Sequence, residues 1–391
     1  MSSSIDISTQ GIKYTGSKLK LLPYILGVID ELKVETILDG FSGTTRVSQA
    51  LAQRGYEVTC ADISVWSETF GKCYLMAKKE KKFYQKIIDE LNALDGRVGW
   101  FTENYSIDKG DINKAPFQTK NLMKLDAIRE RIDELNLEEV DKAVLLTSLI
   151  LALDKVDNTL GHFSSYLAKW SPRSYNNIFL TVPDYKIYKQ QNRVIKDDIF
   201  NIVGSNEFDL AYFDPPYGSN NEKMPPSRVR YASYYHFWTS VILNDKPKLF
   251  GKVHRREDTR DLVASSVFEE YKKDKNGKYI ATEAIRKLAN ETNAKYIIFS
   301  YSNGGRATKD ELNEIFNSCG KLLKVIEIDY KANVMSTMKW TNEWLNGDRQ
   351  NVEYLFVLEK SPVVRPAVSP ILTSQYSLFD LPQQKLSVVE A

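Results

Sequence analysis

Histidine and cysteine are both scarce, three of each in 391 residues. Cys60, Cys73 and Cys319 are odd in number and far apart, which points away from a disulfide framework and toward a reducing cytoplasm. His162, His236 and His254 form no paired spacing with them, so no zinc site and no metal cofactor are expected. No run of apolar residues approaches the ~20 needed to cross a bilayer, so no membrane partner is expected. The opening MSSSIDISTQGIKYTGSK has no apolar core of the kind a signal peptide carries. A strong charge of either sign is missing too: the net charge is +2, so any surface for nucleic acid must be local. What is present is an ordinary globular composition, 42% hydrophobic and 27% charged, with length for a catalytic core plus a sizeable insertion.

The periodicity alternates between strand and helix at both ends of the chain. Leu21, Leu22, Ile25, Leu26, Ile29 and Leu32 predict a helix over 17–32. A short strand at Thr36–Leu38 then runs into the acidic glycine turn Asp39-Gly40-Phe41-Ser42-Gly43-Thr44-Thr45. A helix over 47–54 stops at Gly55, and a strand over 57–61 ends at Asp62. Strand, glycine turn, helix and a second strand with a terminal acid make one βαβ unit of a parallel sheet. From 64 to 193 this grammar gives way to helical periodicity at 84–95 and 121–156, then to a polar, aromatic stretch without a period. Strands return at 208–213, 295–300 and 352–358, with 322–330 pairing with the last as a hairpin. The expected organisation is a discontinuous α/β core (1–63 and 194–360), a mainly helical insertion (64–193), and a proline-bearing disordered tail (361–391).

The strongest chemical signal is Asp214-Pro215-Pro216-Tyr217, which directly follows an apolar strand. Open α/β sheets bind ligands at that edge, and two consecutive prolines stiffen the loop. The loop therefore holds a carboxylate beside an aromatic ring, a pairing suited to a planar base with an exocyclic amine. Such an amine is a poor nucleophile because its lone pair is delocalised into the ring. Acceptance of its protons by Asp214 and the Pro215 carbonyl lets the nitrogen pyramidalise and attack an electrophilic methyl group in line.

Three motifs in order resemble a known family. Lys13-Tyr14-Thr15-Gly16-Ser17-Lys18, the Asp39–Gly43 loop and Asp214–Tyr217 resemble the Dam-type (D12-class) DNA adenine methyltransferases of the alpha group, over about half the chain. The resemblance implies a Rossmann-like S-adenosylmethionine-binding sheet with helices on both faces, and a target-recognition region within the insertion. It also implies methyl transfer to the 6-amino group of an adenine flipped out of double-stranded DNA. Carried over by position, Tyr14 and Lys18 match amino-terminal cofactor contacts, and Asp39, Phe41 and Gly43 match the loop at the cofactor's methionine end. Asp62 matches the acid that binds the ribose hydroxyls, and follows Asp39 at close to the ~20-residue interval expected of such an acid. Asp198 matches an acid after the strand preceding the catalytic one, with Asp197 as the alternative. Thr45 is a departure, since relatives usually have glycine there; Tyr14 stands where many have tryptophan.

The DNA partner rests on two basic stretches. Between 166 and 196, Lys169, Arg173, Lys189 and Arg193 interleave with tyrosines and tryptophan; between 246 and 260 lie Arg255 and Arg256. Among the aromatics after the catalytic loop, His236 is a candidate for the DNA-facing cleft. An RNA base methyltransferase is the alternative enzyme, and the absence of G-x-G-x-x-G weighs against a dinucleotide oxidoreductase. A cognate restriction endonuclease is a further expected partner, in a bacterial cytoplasm on nucleoid DNA. In the tail, Gln375, Leu378 and Phe379 resemble the short peptide by which bacterial DNA enzymes dock on the replication sliding clamp.

Overall fold

The computed structural model describes residues 7–108, 113–218, 230–260, 266–330 and 351–360. The expected tail and its clamp-docking residues Gln375, Leu378 and Phe379 lie outside the described residues. The chain begins with α1 (Leu22–Asp30), β1 (Thr36–Gly40), α2 (Arg46–Gln53) and β2 (Glu57–Asp62). The helix predicted from 17 starts only at Leu22, because Pro23 fits the first turn and nowhere later. Residues 18–21 instead form a tight turn, with the Leu21 and Leu22 amides donating to the Lys18 carbonyl, and this leaves Lys18 outside the helix.

Next come α3 (Val65–Gly71), α4 (Lys81–Ala93), α5 (Trp100–Tyr105), α6 (Thr119–Glu134) and α7 (Glu139–Asp154). The single periodic run predicted over 121–156 is therefore two helices, broken where Asn136 takes a left-handed φ of 46°. Residues 176–192 run without regular structure into the short edge strand β3 (Arg193–Lys196). The chain closes with α8 (Ile199–Ile202), β4 (Phe208–Phe213), α9 (Tyr231–Tyr234), α10 (His236–Leu243), the two-strand ribbon β5 (Leu249–Phe250) and β6 (Arg255–Arg256), α11 (Ile280–Glu291), β7 (Ala294–Ser302), α12 (Lys309–Cys319), β8 (Gly320–Tyr330) and β9 (Asn351–Lys360).

The main sheet has seven strands in the order β3-β2-β1-β4-β7-β9-β8. The first five are parallel, and β9 runs antiparallel between β7 and β8. The expected hairpin of 322–330 with 352–358 is thus present as β8 and β9. Alternate residues of β4 serve opposite faces: Leu210 and Tyr212 join a core with α1 and α2, while Ala211 and Phe213 join one with α8, α11 and α12. The fold is the expected α/β sheet with helices on both faces. A third core, built from α3 to α7 and α10, includes Phe70, Leu149, Phe163 and Trp238. The strand order reverses between β1 and β4, and a crevice at such a switch point is where open sheets hold ligands. No described helix is long and apolar enough to cross a membrane.

Candidate active site

At the switch point, register pairs Asp39 of β1 with Tyr212 of β4 and Gly40 with Phe213. The two loops that follow, Phe41–Thr45 and Asp214–Tyr217, therefore leave the sheet side by side. Asp39 is 1% exposed, and its Oδ2 accepts from the Ser48 hydroxyl of α2. Burial pushes its carboxyl up to about 7, against the opposing pull of that hydroxyl. Among the described residues no basic side chain pairs with it.

The Phe41–Thr45 loop needs three left-handed residues in five, at Phe41 (φ 67°), Gly43 (φ 50°) and Thr45 (φ 61°). A Cβ on Gly43 would meet the Tyr14 ring at 3.1 Å, so glycine there allows the amino-terminal motif to close over the loop. Thr45 is buried in a conformation that suits glycine. Asp62 accepts the Gly43 N–H at 2.9 Å and the Ser64 N–H and hydroxyl at 2.8 and 2.7 Å. It ties the loop to the end of β2; burial raises its carboxyl while these donors lower it.

Tyr14 stacks on Tyr235 with ring centroids 4.7 Å apart. The Thr15 N–H donates to the Tyr235 hydroxyl at 2.8 Å, and Tyr231 donates to the Thr15 carbonyl at 3.2 Å. Lys13 reaches back into the helical region, pairing with Asp157 at 2.5 Å. This framework delivers Lys18, 5% exposed, to the catalytic loop, where its Nζ lies 2.7 Å from Asp214 Oδ2. Tyr217 donates to Asp214 Oδ1 at 2.5 Å. The Tyr217 carbonyl accepts from the Arg306 N–H at 2.9 Å and the Tyr301 hydroxyl at 3.2 Å, which locks the loop. Burial raises the Asp214 carboxyl, opposed by the Lys18 ammonium and the Tyr217 hydroxyl.

A single cleft is lined by Tyr14, Lys18, Asp39, Phe41, Gly43, Tyr212 and Asp214. Six residues singled out from sequence thus meet there. Asp62 stands behind Gly43 and does not line it. Asp198 is exposed and caps α8, accepting the Phe200 N–H at 2.9 Å, while Asp197 accepts from Asp198 and Asn201. Both acids have local structural partners.

The basic residues divide. Lys169, Lys189 and Arg193 are exposed. Arg173 is pinned, donating to the Asp157 and Thr159 carbonyls at 2.8 and 2.6 Å and pairing with the Asp157 carboxylate at 3.1 Å. Arg255 lies over Phe250 and donates to Ser233. Arg256 is a correction: only 2% exposed, it takes both oxygens of Asp245 at 2.7 Å and reaches Asp258 at 2.7 Å, bracing the β5–β6 ribbon rather than facing phosphates. His236 is another, since it is fully buried on the Phe163 carbonyl and burial pushes it down to about 3. The residue missed is Glu353, whose Oε2 lies 3.2 Å from the Tyr217 hydroxyl. Its only sequence signal is an acid at the start of an otherwise apolar strand.

Comparison with known proteins finds relatives among DNA modification enzymes. The chain is 28% identical over 372 residues to the modification methylase StsI of Streptococcus sanguinis, covering 90% of this chain and 52% of that one. It is 24% identical to the type II methyltransferase M.NlaIII of Neisseria lactamica, covering 90% of this chain and all of the relative. With M.FokI of Planomicrobium okeanokoites it shares 25% identity over 89% of this chain and 53% of the other. The chain therefore spans about half the length of the StsI and FokI enzymes. The solved structure of magnesium protoporphyrin IX methyltransferase from Synechocystis PCC 6803 aligns over 87% of this chain and 77% of its own, at 8% identity and a TM-score of only 0.29, too slight a likeness to argue from. Residues 14–252, from Tyr14 through the catalytic loop, match the family model of the D12 class N6 adenine-specific DNA methyltransferases, and the chain belongs to that family.

Proposed function

We propose that this protein transfers a methyl group from S-adenosylmethionine to the 6-amino group of an adenine flipped out of double-stranded DNA. One observation carries the reading: Asp214 opens onto the same cleft as the Tyr14 ring and the Asp39–Gly43 loop. The donor set fits the cofactor. Asp39 is a buried acid whose described side-chain partner is the Ser48 hydroxyl, suited to the ammonium of a methionine moiety, and Gly43 leaves room for close backbone approach. Tyr14 and Phe41 border the same space, and Asp62, behind Gly43 at the end of β2, is the acid we assign to the ribose hydroxyls. The bound cofactor would supply a sulfonium methyl group.

The chain's own residues do the rest. Asp214 accepts a proton of the target amine, and Lys18 keeps that carboxylate charged in a buried setting. An amine stacked in a duplex is out of reach, so the base must leave the helix. The region 64–193 serves as the target-recognition part, with Lys169, Lys189 and Arg193 on DNA phosphates, joined by Arg255 from outside it. Work on nucleoid DNA in the cytoplasm, beside a cognate endonuclease, is consistent with the relatives named as modification enzymes. Clamp docking has no such support.

The test is tritium transfer from labelled S-adenosylmethionine into unmethylated genomic DNA, with RNA as control, for the parent and Asp214→Ala. The variant should lose on the order of 100-fold or more in turnover while calorimetric cofactor affinity stays within a few-fold. Near-parent transfer by the variant, or label entering RNA alone, would overturn the reading.

A further inference from the structure

Glu353 is the third residue of β9, opposite Ser302 of β7 and Ile328 of β8. That register brings it to the Tyr217 hydroxyl from the far side of the catalytic loop. The hydroxyl lies 2.5 Å from Asp214 Oδ1, 3.2 Å from Glu353 Oε2 and 3.4 Å from Ser300 Oγ. A phenol has one proton to donate, and here two carboxylates stand ready to accept it. Two arrangements satisfy all three groups. In the first, Tyr217 donates to an ionised Glu353, and Asp214 Oδ1 is left open to another donor. In the second, Glu353 carries a proton and donates it to the phenol oxygen, while Tyr217 donates to Asp214. Moving from the first to the second places exactly one extra proton on the set.

Methyl transfer generates one proton. We propose that Glu353 is the final acceptor of the proton shed by the adenine 6-amino group, delivered through Asp214 and the Tyr217 hydroxyl. The inference rests on the methyl-transfer reading above. The amino nitrogen forms a bond to the methyl carbon as the carbon–sulfur bond of the sulfonium donor breaks, and that bond's electron pair stays on sulfur. The nitrogen then releases a proton to Asp214 Oδ1. Asp214 passes it to the Tyr217 oxygen as the original Tyr217 proton moves to Glu353 Oε2. At the end Asp214 is ionised again, Tyr217 is neutral, and Glu353 is protonated.

The charges around the relay favour that direction. Lys18 pairs directly with Asp214, and a proton left there would break this buried pair, a costly outcome. Passing the proton on restores the pair for the next turnover. Among the described residues the groups that face Glu353 are Lys18, Asp214 and Tyr217, with Tyr212 and Tyr231 near enough to feel its charge. Burial raises the Glu353 carboxyl, Lys18 lowers it, and the Asp214 charge raises it again, leaving it above the usual glutamate range and suited to hold a proton.

The experiment compares the full chain with Glu353→Gln, which keeps the size and an acceptor oxygen but cannot take up a proton. An infrared pH titration of the protein alone, with no cofactor or DNA, should show a protonated-carboxyl band persisting above the ordinary glutamate range in the parent. In parent-minus-variant difference spectra, where the raised Asp39 carboxyl cancels, that band should be lost with Glu353→Gln and shifted with Tyr217→Phe. In single-turnover tritium transfer to unmethylated genomic DNA, Glu353→Gln should be slower by about 10- to 100-fold. Glu353 and Asp214 must both start ionised, so the rate falls as pH drops through their raised values. This acid limb should change from two coupled protons in the parent to one in the variant. Tyr217→Phe cuts the same relay in the middle, and the double variant should be no slower than the slower single one. An unchanged band, or a slowed variant whose acid limb keeps its steepness, overturns the relay. A parent that transfers no methyl to DNA overturns the reading above instead, and the infrared titration still decides whether Glu353 holds the proton.

Discussion

Two regions of this molecule treat charge in opposite ways. At the carboxyl edge of the sheet, Lys18 is 5% exposed and paired at 2.7 Å, and Asp39 is buried with a serine hydroxyl as its partner. Along 166–193 and at the edge strand β3, charge faces water: Lys169 and Lys189 are exposed, and Arg193, 61% exposed at its side chain, makes one surface pair with Glu57 at 3.3 Å. Charge fixed in advance in a dry site acts on a reaction without reorganising. Exposed charge instead exchanges its counterions for phosphates, so it supplies affinity that depends on salt. Arg256 belongs by sequence to the second kind and by structure to the first, while Arg173 is pinned on Asp157 and Thr159 yet stays partly exposed. Proximity in sequence to other cations says little about which regime an arginine enters.

The largest effect that would sharpen this comparison is on stability. The Asp39 carboxyl lies near 7 in the folded chain and near 3.8 when free. Between those values the folded state holds a proton that the unfolded state has released, so stability should fall as pH rises across the window. The fall should be on the order of a few kcal/mol and should vanish in Asp39→Asn. Denaturant unfolding on both sides of the window measures it, and equal slopes in parent and variant would mean that Asp39 is not buried as a charge.

Next in size is the contrast among the basic residues. Arg256→Ala should lower stability by about 1–2 kcal/mol, since its two carboxylate partners are left partly facing water. Lys189→Ala and Arg193→Ala should change stability by less than about 0.5 kcal/mol, yet each should reduce the salt dependence of DNA binding by about one unit of slope. If Arg256→Ala lowers that slope equally without loss of stability, the division between the two regions fails. The smallest effect concerns backbone strain and not charge. Thr45→Gly relieves a left-handed threonine at the cost of a more flexible unfolded chain, so thermal unfolding should shift by less than about 1 kcal/mol in either direction. A larger loss would show that the buried hydroxyl of Thr45, which accepts from Gln49 at 3.1 Å, matters more than the strain.

What the sequence determined by itself was local. A strand followed at once by an acid and a stiff or glycine-bearing turn puts that acid at a sheet edge whatever surrounds it, which is why Asp39 and Asp214 were legible as site residues. The helical character of 121–156 was legible as well, though not its break, because a left-handed asparagine leaves no mark on hydrophobic periodicity. Tertiary structure decided everything that depends on which strands become neighbours. It placed Glu353 beside Tyr217 because β9 inserts antiparallel between β7 and β8, and no spacing along the chain encodes that choice. It also made Asp198 a helix cap and buried Arg256 between two carboxylates. A charged side chain adopts the partner that removes its desolvation cost, and which partners are within reach is a property of the packed chain and not of the order of its residues.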